Sequence, residues 1–206
     1  MNKSLGLLEV KGLAAGFSAL DTMLKTAEVK YVNDQKKLGA GLVTVIIEGN
    51  ISAVKAAVDA GYKTAANIVG QNNVLTATTI PRPHPLILDL IKIKKQKLSI
   101  KQTANEENIK GCAVGLVEIY GYAAALIGTD AALKTANVRL LGLDKTKGKP
   151  HTPGLIMFLK IAGEVGDVEM ALNATLEAIK PLTGSTSSSI IARPDDKLSS
   201  FIKAGI

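Results

Sequence analysis

Side-chain chemistry has few starting points in this chain. The histidines are His84 and His151 and the single cysteine is Cys112, and no two of them stand at the short spacing that brings metal ligands together. No metal site and no cofactor are expected. G-x-S-x-G and P-loop signatures are absent, and the "GAG" at 39–41 lacks the strand–GxGxxG–helix context of a dinucleotide fold. Asp195-Asp196 fall at a helix start, where carboxylates offset the helix dipole. No catalytic constellation remains, so the chain is expected not to be an enzyme. The stretch most unusual in its backbone is "KKLGAG" at 36–41. Gly39, Ala40 and Gly41 in succession let a backbone approach a neighbour or an axis closely, although alone they also read as an ordinary glycine-rich hairpin turn.

The elements that position this loop occur twice. "GLLEVKG" at 6–12 is answered by "GLVEIYG" at 115–121. Laying Gly6 on Gly115 and reading to Val29 on Val138 without a gap gives 12 identities in 24 positions, among them Glu9/Glu118, Gly12/Gly121, Asp21/Asp130 and Lys25/Lys134. "EGNISAVKAAVDA" (48–60) pairs with "AGEVGDVEMALNA" (162–174), and "IPRPHPLILDLI" (80–91) with "IARPDDKLSSFI" (191–202). One unit of roughly a hundred residues is written twice, which is no short-period solenoid. The expected boundaries are 1–96, a linker at 97–111, and 112–206.

Each copy reads as strand, helix, two strands, helix, strand, short helix. In the first, Leu5–Val10 is a strand, and Leu13, Phe17, Leu20 and Leu24 form one apolar helical stripe. Val29–Asn33 and the β-branched Leu42–Ile47 are strands, Asn50 or Ser52 caps a helix over Ala53–Val69, Val74–Ile80 is a strand, and Leu86–Ile93 a short helix. The second copy gives Ala113–Ile119, Tyr122–Ala136, Val138–Gly142, Leu155–Ile161, Val165–Ile179, Ser187–Ala192 and Leu198–Lys203. Between the copies, residues 94–111 are charged and without clear periodicity, a surface linker. The fold class expected is α+β, an antiparallel sheet flanked by helices in each copy.

Composition narrows the function classes. With 47% apolar and 21% charged residues the chain has a globular balance, and its apolar runs are far shorter than the roughly 20 residues of a membrane helix. No signal peptide is visible, since Met1–Ser4 leads straight into the first repeat, and one cysteine fits a reducing cytosol. The +7 charge admits nucleic acid as a ligand, but four Tyr, three Phe and no Trp leave few platforms for stacked bases. A small trimeric ligand-binding or regulatory protein, using the glycine-rich loop as an anion nest, is the alternative from another class.

"LGLLEVKGLAAGFSALDTMLKTAEV", "KLGAGLVTVIIEGNISAVKAAVDAG" and "IPRPH", with the looser "AVGLVEIYGYAAALIGTDAALKTANV", "GEVGDVEMALNA" and "ARP" of the second copy, resemble the shell proteins of bacterial microcompartments. The resemblance spans nearly the whole chain apart from the linker and residues 143–153. The strand order resembles the non-permuted tandem class, whose members form trimers that imitate a hexamer. It implies a homotrimeric shell tile in the cytoplasm with a central pore. Its implied partners are other shell proteins at its edges, encapsulated enzymes, and small anionic or polar metabolites in the pore; neither nucleic acid nor membrane is implied. The pore-lining residues implied are Lys37, Leu38, Gly39, Ala40 and Gly41 from the first copy, and His151, Thr152, Pro153 and Gly154 from the longer, proline-stiffened loop "KTKGKPHTPG" (145–154) of the second. Lys37 and Lys149 would make the rim positive and concentrate anions. Some tandem members hold an iron–sulfur cluster on a cysteine of the first pore loop; this loop has none, and Cys112 is expected to be a plain buried or linker thiol. Lys25, Arg82, Lys134 and Arg193 match the residues that meet neighbouring tiles.

Overall fold

A computed structural model describes residues 3–36, 38–92, 111–145, 155–183, 187–195 and 198. The chain divides into two compact units. The first holds the described residues up to Lys92 together with Gly121–Ala123 and Leu155; the second holds the rest. Its helices and strands run β1 (Ser4–Lys11), α1 (Leu13–Thr26), β2 (Val29–Gln35), β3 (Leu42–Gly49), α2 (Ile51–Val69), a single 3-10 turn, β4 (Val74–Ile80) and α3 (Pro85–Lys92). The repeat follows as β5 (Ala113–Tyr120), α4 (Tyr122–Thr135), β6 (Arg139–Lys145), β7 (Ile156–Gly163), α5 (Val165–Ile179) and β8 (Ser188–Ile191). Of the expected last helix, residues 199–203 lie outside the described residues, as does the linker up to residue 110.

Both sheets are antiparallel and share one order, β2-β3-β1-β4 and β6-β7-β5-β8. One irregularity repeats, while the β1–β4 register shift between Glu9 and Val10 has no counterpart in the four β5–β8 pairs. The β2–β3 register shifts between Tyr31 and Asn33, and the β6–β7 register between Leu140 and Gly142, the same place in the repeat. The extra residue bends the strand and adds twist.

In the first unit, alternate residues of β1 and β3 face α1 and α2. Leu8, Val10, Val43, Val45 and Ile47 pack with Ala15, Ala19 and Met23 of α1 and with Val54, Ala57, Val58 and Ala65 of α2. The helical face of α1 thus differs from the one its large apolar residues indicate. Leu13, Phe17 and Leu24 are 48%, 41% and 40% exposed, and the small residues Ala15, Gly16 and Ala19 are buried instead. Small side chains let α1 come close: a Cβ on Gly16 would stand 3.1 Å from Val43, and one on Gly61 of α2 would stand 2.5 Å from Met23. The capping choice at α2 resolves to Asn50, whose Oδ1 accepts the Ser52 N–H at 3.1 Å; Gly70, at φ 82, ends that helix by donating to the Ala66 carbonyl.

The second unit also packs its helices on one sheet, and besides Thr129, Asp130 and Thr175 it buries an ion pair. Lys160 of β7 and Asp144 of β6 form an ion pair at 2.5 Å with side chains only 3% and 5% exposed. Gly142 makes room for the lysine stem, since a Cβ there would lie 3.0 Å from Lys160 Cε. Removing one member of such a pair strands the other charge out of water, a loss of about 3–5 kcal/mol, whereas an apolar replacement of both is close to neutral. Lys160→Ala is therefore expected to lower the urea midpoint sharply. Lys160→Met combined with Asp144→Leu should recover most of that loss.

Candidate functional site

The β2–β3 loop has a distinctive backbone. Gly39, Ala40 and Gly41 take φ of 87°, 51° and 73°, three successive left-handed residues. Glycine enters that region freely and alanine does not, yet a Cβ on Gly39 or Gly41 would meet nothing within 4 Å. Conformation, not space, demands these glycines. Leu38 is 4% exposed and pins the loop to its unit, so the tip consists of Gly39, Ala40 and Gly41, all exposed. The Gly41 carbonyl accepts the Gly12 N–H at 2.9 Å, and the Gly39 carbonyl the Leu42 N–H at 3.0 Å. Beside them Lys36 lies 3.2 Å from Asp34 and 4.7 Å from the centre of the Phe17 ring. Lys37 and the second-copy loop residues His151, Thr152, Pro153 and Gly154 lie outside the described residues.

Lys25 and Lys134 close the last turns of α1 and α4. Each reaches back one turn to an aspartate: Lys25 to Asp21 at 2.6 Å, and Lys134 to Asp130 at 2.5 Å. Asp preceding Lys by four residues is the favourable orientation along a helix. Arg82 and Arg193 are exposed beyond β4 and β8. Arg82 has φ 47°, the only described non-glycine residue besides Ala40 with a positive φ. It is held there between Pro81 and Pro83, although a residue before proline normally stays extended.

A buried carboxylate is the polar feature that motif reading passes over. Glu9, on β1, is 0% exposed. Its Oε2 accepts the Thr44 hydroxyl at 2.6 Å and the backbone N–H groups of Tyr122 and Ala123 at 2.9 and 3.1 Å, all within the first unit. Gly121, at φ 90°, permits this, because a Cβ there would stand 2.5 Å from Glu9 Oε1. Desolvation pushes the Glu9 carboxyl above its ordinary value and outweighs the three donated hydrogen bonds. Burial and then the nearby Glu9 charge also raise the Tyr122 phenol. One signal pointed to Glu9: an acid at the same place in two otherwise apolar strands, "LEVKG" and "VEIYG". The Lys160–Asp144 pair has no such double signal, since Ile46 stands at the first copy's counterpart of Lys160.

The family profile described as "BMC domain" matches this chain twice, over residues 4–83 and 113–194. The chain belongs to the BMC-domain family. It carries two such domains in tandem, in the non-permuted order, each an antiparallel four-stranded sheet with helices. Over 195 residues it is 30% identical to the carboxysome assembly protein CcmO of Synechococcus sp., covering 95% of this chain and 67% of that one. It is 27% identical over 202 residues to the bacterial microcompartment shell protein PduT of Citrobacter freundii, covering 96% of each. Among solved structures, a microcompartment protein from Desulfitobacterium hafniense superposes with a TM-score of 0.65 at 28% identity, over 97% of this chain and 99% of the other.

The raised Glu9 carboxyl carries a pH dependence. The folded chain binds the proton more tightly than the unfolded chain, so the contribution of this group is most favourable below the ordinary value of 4.5. It is lost as pH rises through the higher folded value. Urea denaturation between about pH 4 and pH 8 should show wild-type stability falling over that window. Glu9→Gln, which keeps an acceptor oxygen but cannot ionise, should show a flatter profile.

Proposed function

We propose that this chain is a structural shell protein of a bacterial microcompartment in the cytoplasm, a tile and not an enzyme. The observation that carries this reading is two BMC domains in one chain, together with full-length similarity to a protein named as a shell protein. Three chains supply six domains, so closed cyclic symmetry gives a homotrimer that imitates a hexamer. The domains run 1–96 and 112–206, joined by a linker at 97–111.

In that trimer the Gly39–Gly41 tip and the second-copy loop bearing His151, Thr152, Pro153 and Gly154 line a central pore, with Lys37 on its rim. Left-handed glycines suit such a place, because they bring bare backbone N–H and carbonyl groups to an axis without side chains to block it. Lysine at the rim favours small anionic or polar metabolites.

Lys25, Arg82, Lys134 and Arg193 face neighbouring tiles. Each lysine has a long apolar stem to lie along a neighbour and a charged tip to reach its carbonyls, and each arginine offers a planar fork. One exposed ion contact is worth less than about 1 kcal/mol, but a tile has a contact on every side and the contributions add across a sheet. Cargo enzymes and other shell proteins are the remaining partners.

Light scattering should return a trimer of the 21.5 kDa chain, or multiples of it. Lys25→Asp combined with Lys134→Asp should leave that trimer intact while electron microscopy finds no sheets. Undiminished sheets would remove these lysines from the tile edge, and a monomeric wild type would remove the tile itself.

A further inference from the structure

The repeat contains one contact in complete form and, elsewhere, the same contact in two separated halves. In the complete form, Glu9 accepts from the N–H groups of Tyr122 and Ala123 beside Gly121. Repeat alignment makes Glu118 the counterpart of Glu9, Gly12 that of Gly121, and Leu13 and Ala14 those of Tyr122 and Ala123.

The first half is Glu118. It sits on β5 at the position Glu9 holds on β1, but it is exposed. Its carboxylate accepts the Ser187 hydroxyl at 2.5 Å, and its N–H donates to the Ser187 carbonyl at 2.8 Å, which holds the strand in register.

The second half is the start of α1. Gly12 has φ 112°, close to the 90° of Gly121, and α1 begins with no side-chain cap. Gly12 N–H donates to the Gly41 carbonyl at 2.9 Å, and Gly121 N–H to the Leu155 carbonyl at 2.9 Å, so the two turns are anchored alike. A Cβ on Gly12 would meet Val69 at 3.4 Å and Ala15 at 3.9 Å and no carboxylate, whereas one on Gly121 would meet Glu9. The surrounding apolar positions divide in the same way. Leu13 is 48% and Phe17 41% exposed, while their counterparts Tyr122 and Leu126 are both 0% exposed.

We propose that Glu118 of one protomer caps α1 of the next, accepting the N–H groups of the next protomer's Leu13 and Ala14, with Leu13 and Phe17 covered in the same contact. The carboxylate meets the positive end of a helix dipole, and the two halves of the contact belong to different units of one chain. Such a heterologous contact repeats from copy to copy until the ring closes. The inference rests on the trimer reading above and names the residue that seals each junction between chains.

Dilution series followed by light scattering or native mass spectrometry test it, with circular dichroism to establish folding. Glu118→Lys places a cation against the helix N-terminus. It should raise the concentration at which trimers dissociate by about tenfold or more, as loss of a charge-assisted hydrogen bond predicts. Leu13→Glu should weaken the trimer from the other side, by facing one carboxylate with another, while acid in a first helical turn favours the lone helix. The double variant should recover trimer stability beyond the sum of the singles. A Glu118→Lys trimer that dissociates at the wild-type concentration would overturn the capping contact and leave the trimer standing. A wild type that never trimerises would overturn both. Should Glu118→Lys fail to fold, Glu118→Gln paired with Leu13→Glu reads the same coupling, and additive effects there would refute the contact.

Discussion

Neither unit could close its core if the second helix of the repeat stood one methyl group further from the central strand. A Cβ on Gly6 of β1 would lie 2.7–2.9 Å from Ile47, Val58 and Val54, and one on Gly115 of β5 would lie 2.5–3.0 Å from Leu172, Val168 and Ile161. These are positions where real side chains do not fit, and cores packed like organic crystals cannot absorb the extra volume cheaply. The strand surface is therefore cut away where α2 and α5 cross it. That depth sets how far the first helix must also come down, and it explains why α1 buries alanine and glycine while its leucines and phenylalanine turn outward. Gly128 of α4 extends the same rule, since a Cβ there would be 2.9–3.0 Å from Thr175 and Ile179 of α5.

Duplication over this frame lets one sequence pattern serve two environments. The frame is kept: strand order, the shift between the second and third strands, helix-end lysine and the glycine after the first strand all repeat. What differs is local polarity. The second unit holds a buried ion pair where the first has an isoleucine partner, and one glutamate of the repeated pair is buried while the other is exposed. A buried pair contributes little to stability over apolar residues of equal volume. Its presence in one copy is a difference between the copies and not a requirement of the fold.

A shell protein of the kind proposed works through its surfaces instead of a cleft. The left-handed loop tip, the ion-paired lysines at helix ends and the strained Arg82 all sit where the regular elements stop. Backbone strain at Ala40 and Arg82 costs about 1–2 kcal/mol each and is carried by the rigid elements on either side. Fixed geometry at a rim or an edge suits an assembling protein, because a contact repeated around a ring tolerates little variation from copy to copy.

The sequence by itself determined the duplication, the order of the described α-helices and strands, the α+β class and the family, because those depend on periodicity, turn residues and identities readable along one line. A cap at Asn50 or Ser52, the buried β3 and the glycine-rich turn were legible for the same reason: each is decided by residues within a few positions of it. Only the tertiary structure decided which face of α1 is buried. A stripe of Leu13, Phe17 and Leu24 satisfies helical periodicity as well as Ala15, Ala19 and Met23, and the choice rests on how closely α2 and the sheet approach. The environments of Glu9 and Glu118 were likewise outside the reach of sequence. The same residue in corresponding strands differs in burial because the N–H groups that meet Glu9 come from Tyr122 and Ala123, more than a hundred residues further along the chain.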